Sequence, residues 1–138
     1  MRTAIDANLI SAIWGGEPSA QGNAELLAAA QHDGGLVISG PVYAELLAYP
    51  SVTREAVDHF LTYSGIAIEF ETGQEVWVVA GAAYASYASL RRKSAGGEPK
   101  RLLVDFVVGA HALQRADRLA TLDRSRYAQA FPQLVLIG

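Results

Sequence analysis

Gly34-Gly35-Leu36-Val37-Ile38-Ser39-Gly40-Pro41-Val42-Tyr43-Ala44-Glu45-Leu46-Leu47-Ala48 is the stretch from which the architecture reads most directly. Paired glycines end the helical segment before it, because glycine gives up the most conformational freedom in a helix. Leu36 to Ser39 is a short apolar run and predicts a strand. Pro41 suits the first turn of a helix, where its missing N–H had no partner to lose. The helix is predicted from Pro41 to Ala48, and Pro50 stops it.

The same alternation continues in both directions. Upstream, Thr3-Ala4-Ile5 predicts a strand, Leu9 to Trp14 a short helix closed by Gly15-Gly16, and Ser19 to Gln31 an alanine-rich helix. Downstream, Thr53 caps a helix through Tyr63 with Glu55 in its first turn. Ile66 to Phe70 follows as a strand. Thr72 and Glu75 match a Thr-x-x-Glu capping box. The helix behind it carries Val76, Val79, Ala80, Ala83, Tyr84, Tyr87 and Leu90 at three- and four-residue spacing. Ser94-Ala95-Gly96-Gly97-Glu98-Pro99 is a loop. Arg101 to Ala116 is a helix apolar on almost every side, and Arg118 to Thr121 and Gln133 to Ile137 are the last strands. Strands separated by helices imply an α/β fold with a parallel sheet, whose ligands bind beyond the carboxyl ends of the strands. At 138 residues this is one domain, 1–138.

Composition removes several classes. Apolar residues make up 51% and charged residues 18%, which argues against disorder. With no cysteine there is no disulfide framework, thiolate zinc site, iron–sulfur cluster or cysteine nucleophile. The first residues lack the apolar stretch of a signal peptide, and no apolar run approaches the roughly 18 residues of a membrane span. A soluble cytoplasmic domain with no membrane contact is expected. No phosphate loop and no dinucleotide fingerprint is present. Residues 1–89 hold 2 basic and 10 acidic residues (−8), and residues 90–138 hold 9 basic and 4 acidic (+5). Such a split marks either solvated surface or a polyanion site.

Four carboxylates stand near expected strand ends. Asp6 follows the first strand, where a helix cap is the bland alternative. Glu45 lies one turn into the helix after the second strand, between apolar neighbours. Asp105 sits in Leu102-Leu103-Val104-Asp105-Phe106-Val107-Val108-Gly109-Ala110, with no other polar side chain. A carboxylate in such a helix needs compensation, by Arg101 one turn earlier or by a metal. Asp123 follows the strand at Leu119-Ala120-Thr121, as a loop residue, a helix cap or a site residue. An α/β sheet brings all four to one edge, where they cannot all ionise without cations. All-oxygen ligands select Mg²⁺ or Mn²⁺, and clusters of this kind serve phosphodiester cleavage.

Ile5-Asp6-Ala7-Asn8-Leu9-Ile10, then Glu45, then Asp105-x-x-x-Gly109-Ala110-His111-Ala112, then Thr121-Leu122-Asp123-Arg124-x-x-Tyr127 resembles the PIN domain family, in its VapC-type toxin subgroup. The resemblance runs from residue 2 to about residue 137. It implies a sheet in the order 3-2-1-4-5, Mg²⁺-dependent ribonuclease activity, often a homodimer, and inhibition by a small antitoxin. Asp6, Glu45, Asp105 and Asp123 would be the acidic, metal-binding quartet, with Asn8 and Thr121 as supporting polar residues. Ala7 departs from the family, where a hydroxyl residue is common.

Remaining polar residues divide into two groups. His32, His59 and His111 do not cluster and are read as structural or surface residues. Arg91, Arg92, Lys93, Lys100 and Arg101 flank the glycine loop, and Arg124 and Arg126 lie beside Asp123; all are candidates for RNA backbone contacts. Trp14, Tyr43, Trp77, Tyr84 and Tyr87 are read as core or interface. The expected function is a metal-dependent endoribonuclease, the toxin of a type II toxin–antitoxin pair acting on RNA. One alternative is a PIN-like RNA-binding module without catalysis. Another is an aspartyl phosphotransferase with Asp6 as nucleophile, although Asn8 stands where such enzymes usually carry a second Asp and the only lysines are Lys93 and Lys100.

Overall fold

A computed structural model describes residues 1–94 and 101–138. Five strands form one sheet: β1 (Thr3–Ile5), β2 (Leu36–Ser39), β3 (Ile66–Glu69), β4 (Arg118–Ala120) and β5 (Val135–Ile137). Their order is β3-β2-β1-β4-β5, and every pairing is parallel. Parallel neighbours need a crossover, and helices supply it: α1 (Ala7–Trp14), α2 (Ala20–Gly34), α3 (Gly40–Leu47), α4 (Arg54–Tyr63), α5 (Gln74–Lys93), α6 (Leu103–Arg115) and the short α7 (Arg124–Ala128). The expected α/β fold and the 3-2-1-4-5 order are both found.

The junction between α2 and β2 leads the chain into the centre of the sheet. Gly35 ends α2 with φ +102, which L side chains rarely adopt. All four residues of β2 are buried, as are Thr3, Ala4 and Ile5 of β1. Central strands covered by helices on both faces read as continuous apolar runs. The core joins Leu9 and Ile10 of α1, Leu46 of α3, Leu61 of α4, Phe106 of α6 and Leu119 of β4.

Some boundaries shift for local reasons. The Thr72–Glu75 capping box does not form. Gly73, at φ +87, takes the N-cap of α5, so the helix starts one residue later and Thr72 is buried without capping it. β3 stops at Glu69, and Phe70 is exposed against the edge of the Tyr43 ring. Arg101 lies before α6, with its N–H donating to the Tyr87 hydroxyl at 3.1 Å. Residues 95–99 of the glycine–proline loop, and Lys100, fall outside the described residues.

α6 is buried from Phe106 to Ala112. His111 is buried there against Glu69 of β3, with Nε2 2.8 Å from Oε1. Burial pushes the His111 imidazole below its ordinary pKa, and Glu69 offsets part of that. This histidine ties α6 to the sheet, in the structural role expected of it. Gly109 packs edge-on to the Phe131 ring, and a Cβ at this position would overlap it. Gly109→Ala should therefore destabilise by about 1–3 kcal/mol, the usual cost of overpacking. The gain in helix propensity, about 1 kcal/mol, offsets only part of this. A urea midpoint equal to the parent's would show that the ring moves aside at no cost.

Candidate functional site

Asp6 leaves β1 and caps α1. Its Oδ1 accepts the Ala7 N–H at 2.8 Å, while Oδ2 accepts the Thr121 hydroxyl at 2.9 Å and the Tyr127 hydroxyl at 2.7 Å. The residue is 2% exposed. Three donors thus satisfy both oxygens of a carboxyl group that folding takes out of water. The cap reading and the site reading of Asp6 thus describe one group.

Thr121 reaches Asp6 because β4 lies beside β1, where Asp6 N donates to Ala120 O at 2.9 Å. Its Oγ1 also accepts the Asp123 N–H at 3.1 Å and the Asn8 amide at 3.4 Å. Asn8 in turn accepts the Leu122 N–H at 3.1 Å. Asn8 and Thr121 therefore stitch the start of α1 to the turn after β4, at the side of Asp6.

Glu45 comes from α3, which β2 feeds directly. It lines two clefts that also share Arg126. One, of about 550 Å³, is bordered by Asp6, Asn8, Ser11 and Leu122. The other, of about 680 Å³, is bordered by Pro41, Leu102, Val104 and Asp105. Asp105 stands in the first turn of α6, its side chain 18% exposed.

Charge links three of the four carboxylates, with Asp6 acting on both Glu45 and Asp105. Burial pushes Glu45 above its ordinary pKa, and the charges of Asp6 and Asp105 push it further. Burial also raises Asp105; Arg126 pulls it back, Asp6 raises it, and the balance is upward. Asp123 stands apart. The Ser125 hydroxyl holds its carboxyl below the usual range, despite some burial, with help from the Arg126 N–H and the charges of Arg126 and Arg101. It caps α7, with Oδ1 taking the Ser125 hydroxyl at 2.8 Å and the Arg126 N–H at 3.3 Å.

Arg126 stands between the groups. Its Nη1 lies 3.6 Å from Asp105 and its Nε 3.3 Å from Asp123. Among the described residues no three acidic or imidazole side chains converge closely enough to enclose a metal ion. The donor set nevertheless fits a hard divalent cation. It is all oxygen, the chemistry such a cation takes, and both Glu45 and Asp105 are raised above their ordinary pKa, first by burial and then by the Asp6 charge.

The remaining basic residues have other partners. Arg101 is not the ion-pair partner of Asp105. Its guanidinium donates to the carbonyls of Arg126 and, at 3.0 Å, Ser125, and so fastens α7 to the start of α6. Arg124 donates to the Gly138 carbonyl. Arg91, Arg92 and Lys93 form the last turn of α5, where cations favour the helix dipole. Tyr127 has a role that its sequence position did not reveal. Fully buried, it orients Asp6 across 121 residues of chain, and its only sequence signal was an aromatic one turn after Asp123.

Among curated proteins, none matches this sequence significantly. The structure is similar to VapBC2 from Rickettsia felis bound to a DNA fragment from its promoter, with a TM-score of 0.67 and 23% identity over 99% of this chain and 98% of that one. It is also similar to VapBC-1 from nontypeable Haemophilus influenzae, with a TM-score of 0.64 and 21% identity over 99% of this chain and 97% of that one. The PIN domain family matches residues 3–131, which hold Asp6, Glu45, Asp105, Asp123 and the groups that position them, and the chain belongs to that family.

Proposed function

We propose that this PIN domain is a metal-dependent endoribonuclease and the toxin of a type II toxin–antitoxin pair. The observation that carries the reading is the placing of Asp6, Glu45 and Asp105 along two clefts that share Glu45 and Arg126. They come from three separate elements and border adjoining clefts, and the Asp6 charge adds to burial in raising both Glu45 and Asp105.

Asp6, Glu45 and Asp105 would hold Mg²⁺ or Mn²⁺, with Asp123 joining from the α7 side. The bound ion would supply an activated water and offset charge on the scissile phosphate. Thr121 and Tyr127 fix the Asp6 carboxylate, and Asn8 fixes Thr121. Arg91, Arg92, Lys93, Lys100, Arg101 and Arg124 would contact the RNA backbone. Cleavage of this kind needs no ribose 2′-hydroxyl, so products carry 5′-phosphate and 3′-hydroxyl ends. An antitoxin partner accords with the VapBC likeness, and the protein would act as a homodimer in the cytoplasm. The phosphotransferase alternative is weaker, because both Asp6 oxygens already accept hydrogen bonds that blunt a nucleophile.

The test is cleavage of end-labelled RNA by purified protein with Mg²⁺, Mn²⁺ or EDTA, beside melting curves. Mn²⁺ at a hundredfold excess over Kd should stabilise the protein by roughly 2.7 kcal/mol. Identical melting in Mn²⁺ and EDTA, or cleavage that survives EDTA, overturns the reading.

A further inference from the structure

We propose that Arg126 is a resident counter-ion of the acidic cluster, a guanidinium that holds Asp105 and Asp123 together and must leave Asp105 before a divalent cation binds. This rests on the metal-site reading above and extends it to what controls loading of the site.

The side chain stands among the carboxylates that would hold a cation. It pairs with carboxylates from two different elements, Asp105 of α6 at 3.6 Å and Asp123 at the start of α7 at 3.3 Å. It also borders both clefts that Glu45 lines. A phosphate-gripping arginine would point its charge at the substrate; this one points it at the protein's own acids.

Its hold is loose. Charge-assisted bonds from guanidinium to carboxylate usually run about 2.7–2.9 Å. Both pairs here are longer, and the Arg126 side chain is 35% exposed, so water can take over its hydration when it swings out. The backbone beneath it is firm. The Arg126 N–H donates to Asp123, and its carbonyl accepts the Arg101 guanidinium. Only the side chain has to move. If the guanidinium held the cluster about nine-tenths of the time, apparent cation affinity would drop about tenfold, because only the open fraction binds.

The test compares Mn²⁺ titration by calorimetry and urea midpoints in EDTA for the parent, Arg126→Gln, Arg126→Lys and Arg124→Gln. Arg126→Gln should bind Mn²⁺ at least tenfold more tightly and unfold at lower urea in EDTA. Arg126→Lys keeps the charge but cannot span both carboxylates, and should fall between Arg126→Gln and the parent. Arg124 donates to Gly138 rather than to the cluster, so Arg124→Gln should match the parent. If the parent binds Mn²⁺ and neither Arg126 variant binds it more tightly, the counter-ion role is overturned while the metal site stands. A tightening in Arg124→Gln as large as in Arg126→Gln overturns it too, since that is a general charge effect. If Arg126→Gln does not fold in EDTA, an Arg126→Lys affinity equal to the parent's is decisive against the proposal. If no protein binds Mn²⁺, the metal site fails and the proposal fails with it.

Discussion

Asp105→Asn should lower RNA cleavage by orders of magnitude while leaving the protein, in EDTA, at least as stable as the parent. The change is nearly isosteric, so the packing of α6 survives. The Asp105 charge is costly where it stands, because burial and Asp6 raise its pKa by more than Arg126 and Arg101 lower it. Removing it leaves Arg126 paired with Asp123, so no charge is orphaned. Stabilisation by Mn²⁺ should shrink, because a hard cation loses an anionic ligand.

A pH profile in EDTA carries the same sign. A carboxyl whose folded pKa is raised takes up its proton in the folded state first, so stability grows as pH falls through that raised value. The growth is complete below the ordinary value, about 3.9 for Asp. The parent should show this contribution from Asp105 and from Glu45, and Asp105→Asn should retain only that of Glu45, reduced because the Asp105 charge no longer raises it. If the pair with Arg126 were instead a buried structural bridge, breaking it would cost up to about 3–5 kcal/mol. Partial exposure of both partners reduces that figure. A large loss of urea midpoint in EDTA would rule out Asp105 as a metal ligand.

Tyr127→Phe should be costly to both stability and function. The hydroxyl donates to Asp6 Oδ2 at 2.7 Å inside the core, and hydrogen bonds to charged groups contribute about 1.5–3 kcal/mol. The ring still fills its space, so the loss belongs to the hydrogen bond and not to a cavity. Asp6 keeps Thr121 on the same oxygen but loses its deeper anchor. Groups that orient a metal ligand usually account for about 10–100-fold in metal affinity. Tyr127→Phe should thus weaken Mn²⁺ binding within that range and lower cleavage with it. Urea unfolding with and without Mn²⁺ measures both effects. A stability loss with unchanged Mn²⁺ affinity would make Tyr127 a core residue alone.

Local chemistry was enough for the succession of strands and helices. Gly34-Gly35, Pro41, Pro50 and Thr53 act through their own dihedrals and hydrogen-bonding groups, and the structure has them where those properties put them. Thr53 Oγ1, for one, accepts the Ala56 N–H at 3.1 Å. Burial of α6 from Phe106 to Ala112 was legible too, whereas Leu102 and Leu103 ahead of that stretch are exposed despite an equally apolar reading. The motif resemblance carried the strand order. Choices among close neighbours were not legible. Thr72 and Gly73 both suit an N-cap, and the path from β3 into α5 selected the glycine. Arg101 and Arg126 are both within reach of Asp105 in principle. Arg101 is one turn away in sequence, but α6 begins only at Leu103 and the Arg101 side chain turns to the carbonyls of α7. Arg126, from a helix that docks only when β4 pairs with β1, takes the place beside the acids. Long-range contacts of this kind depend on how elements pack after they form, and side-chain chemistry along the chain carries no record of that geometry.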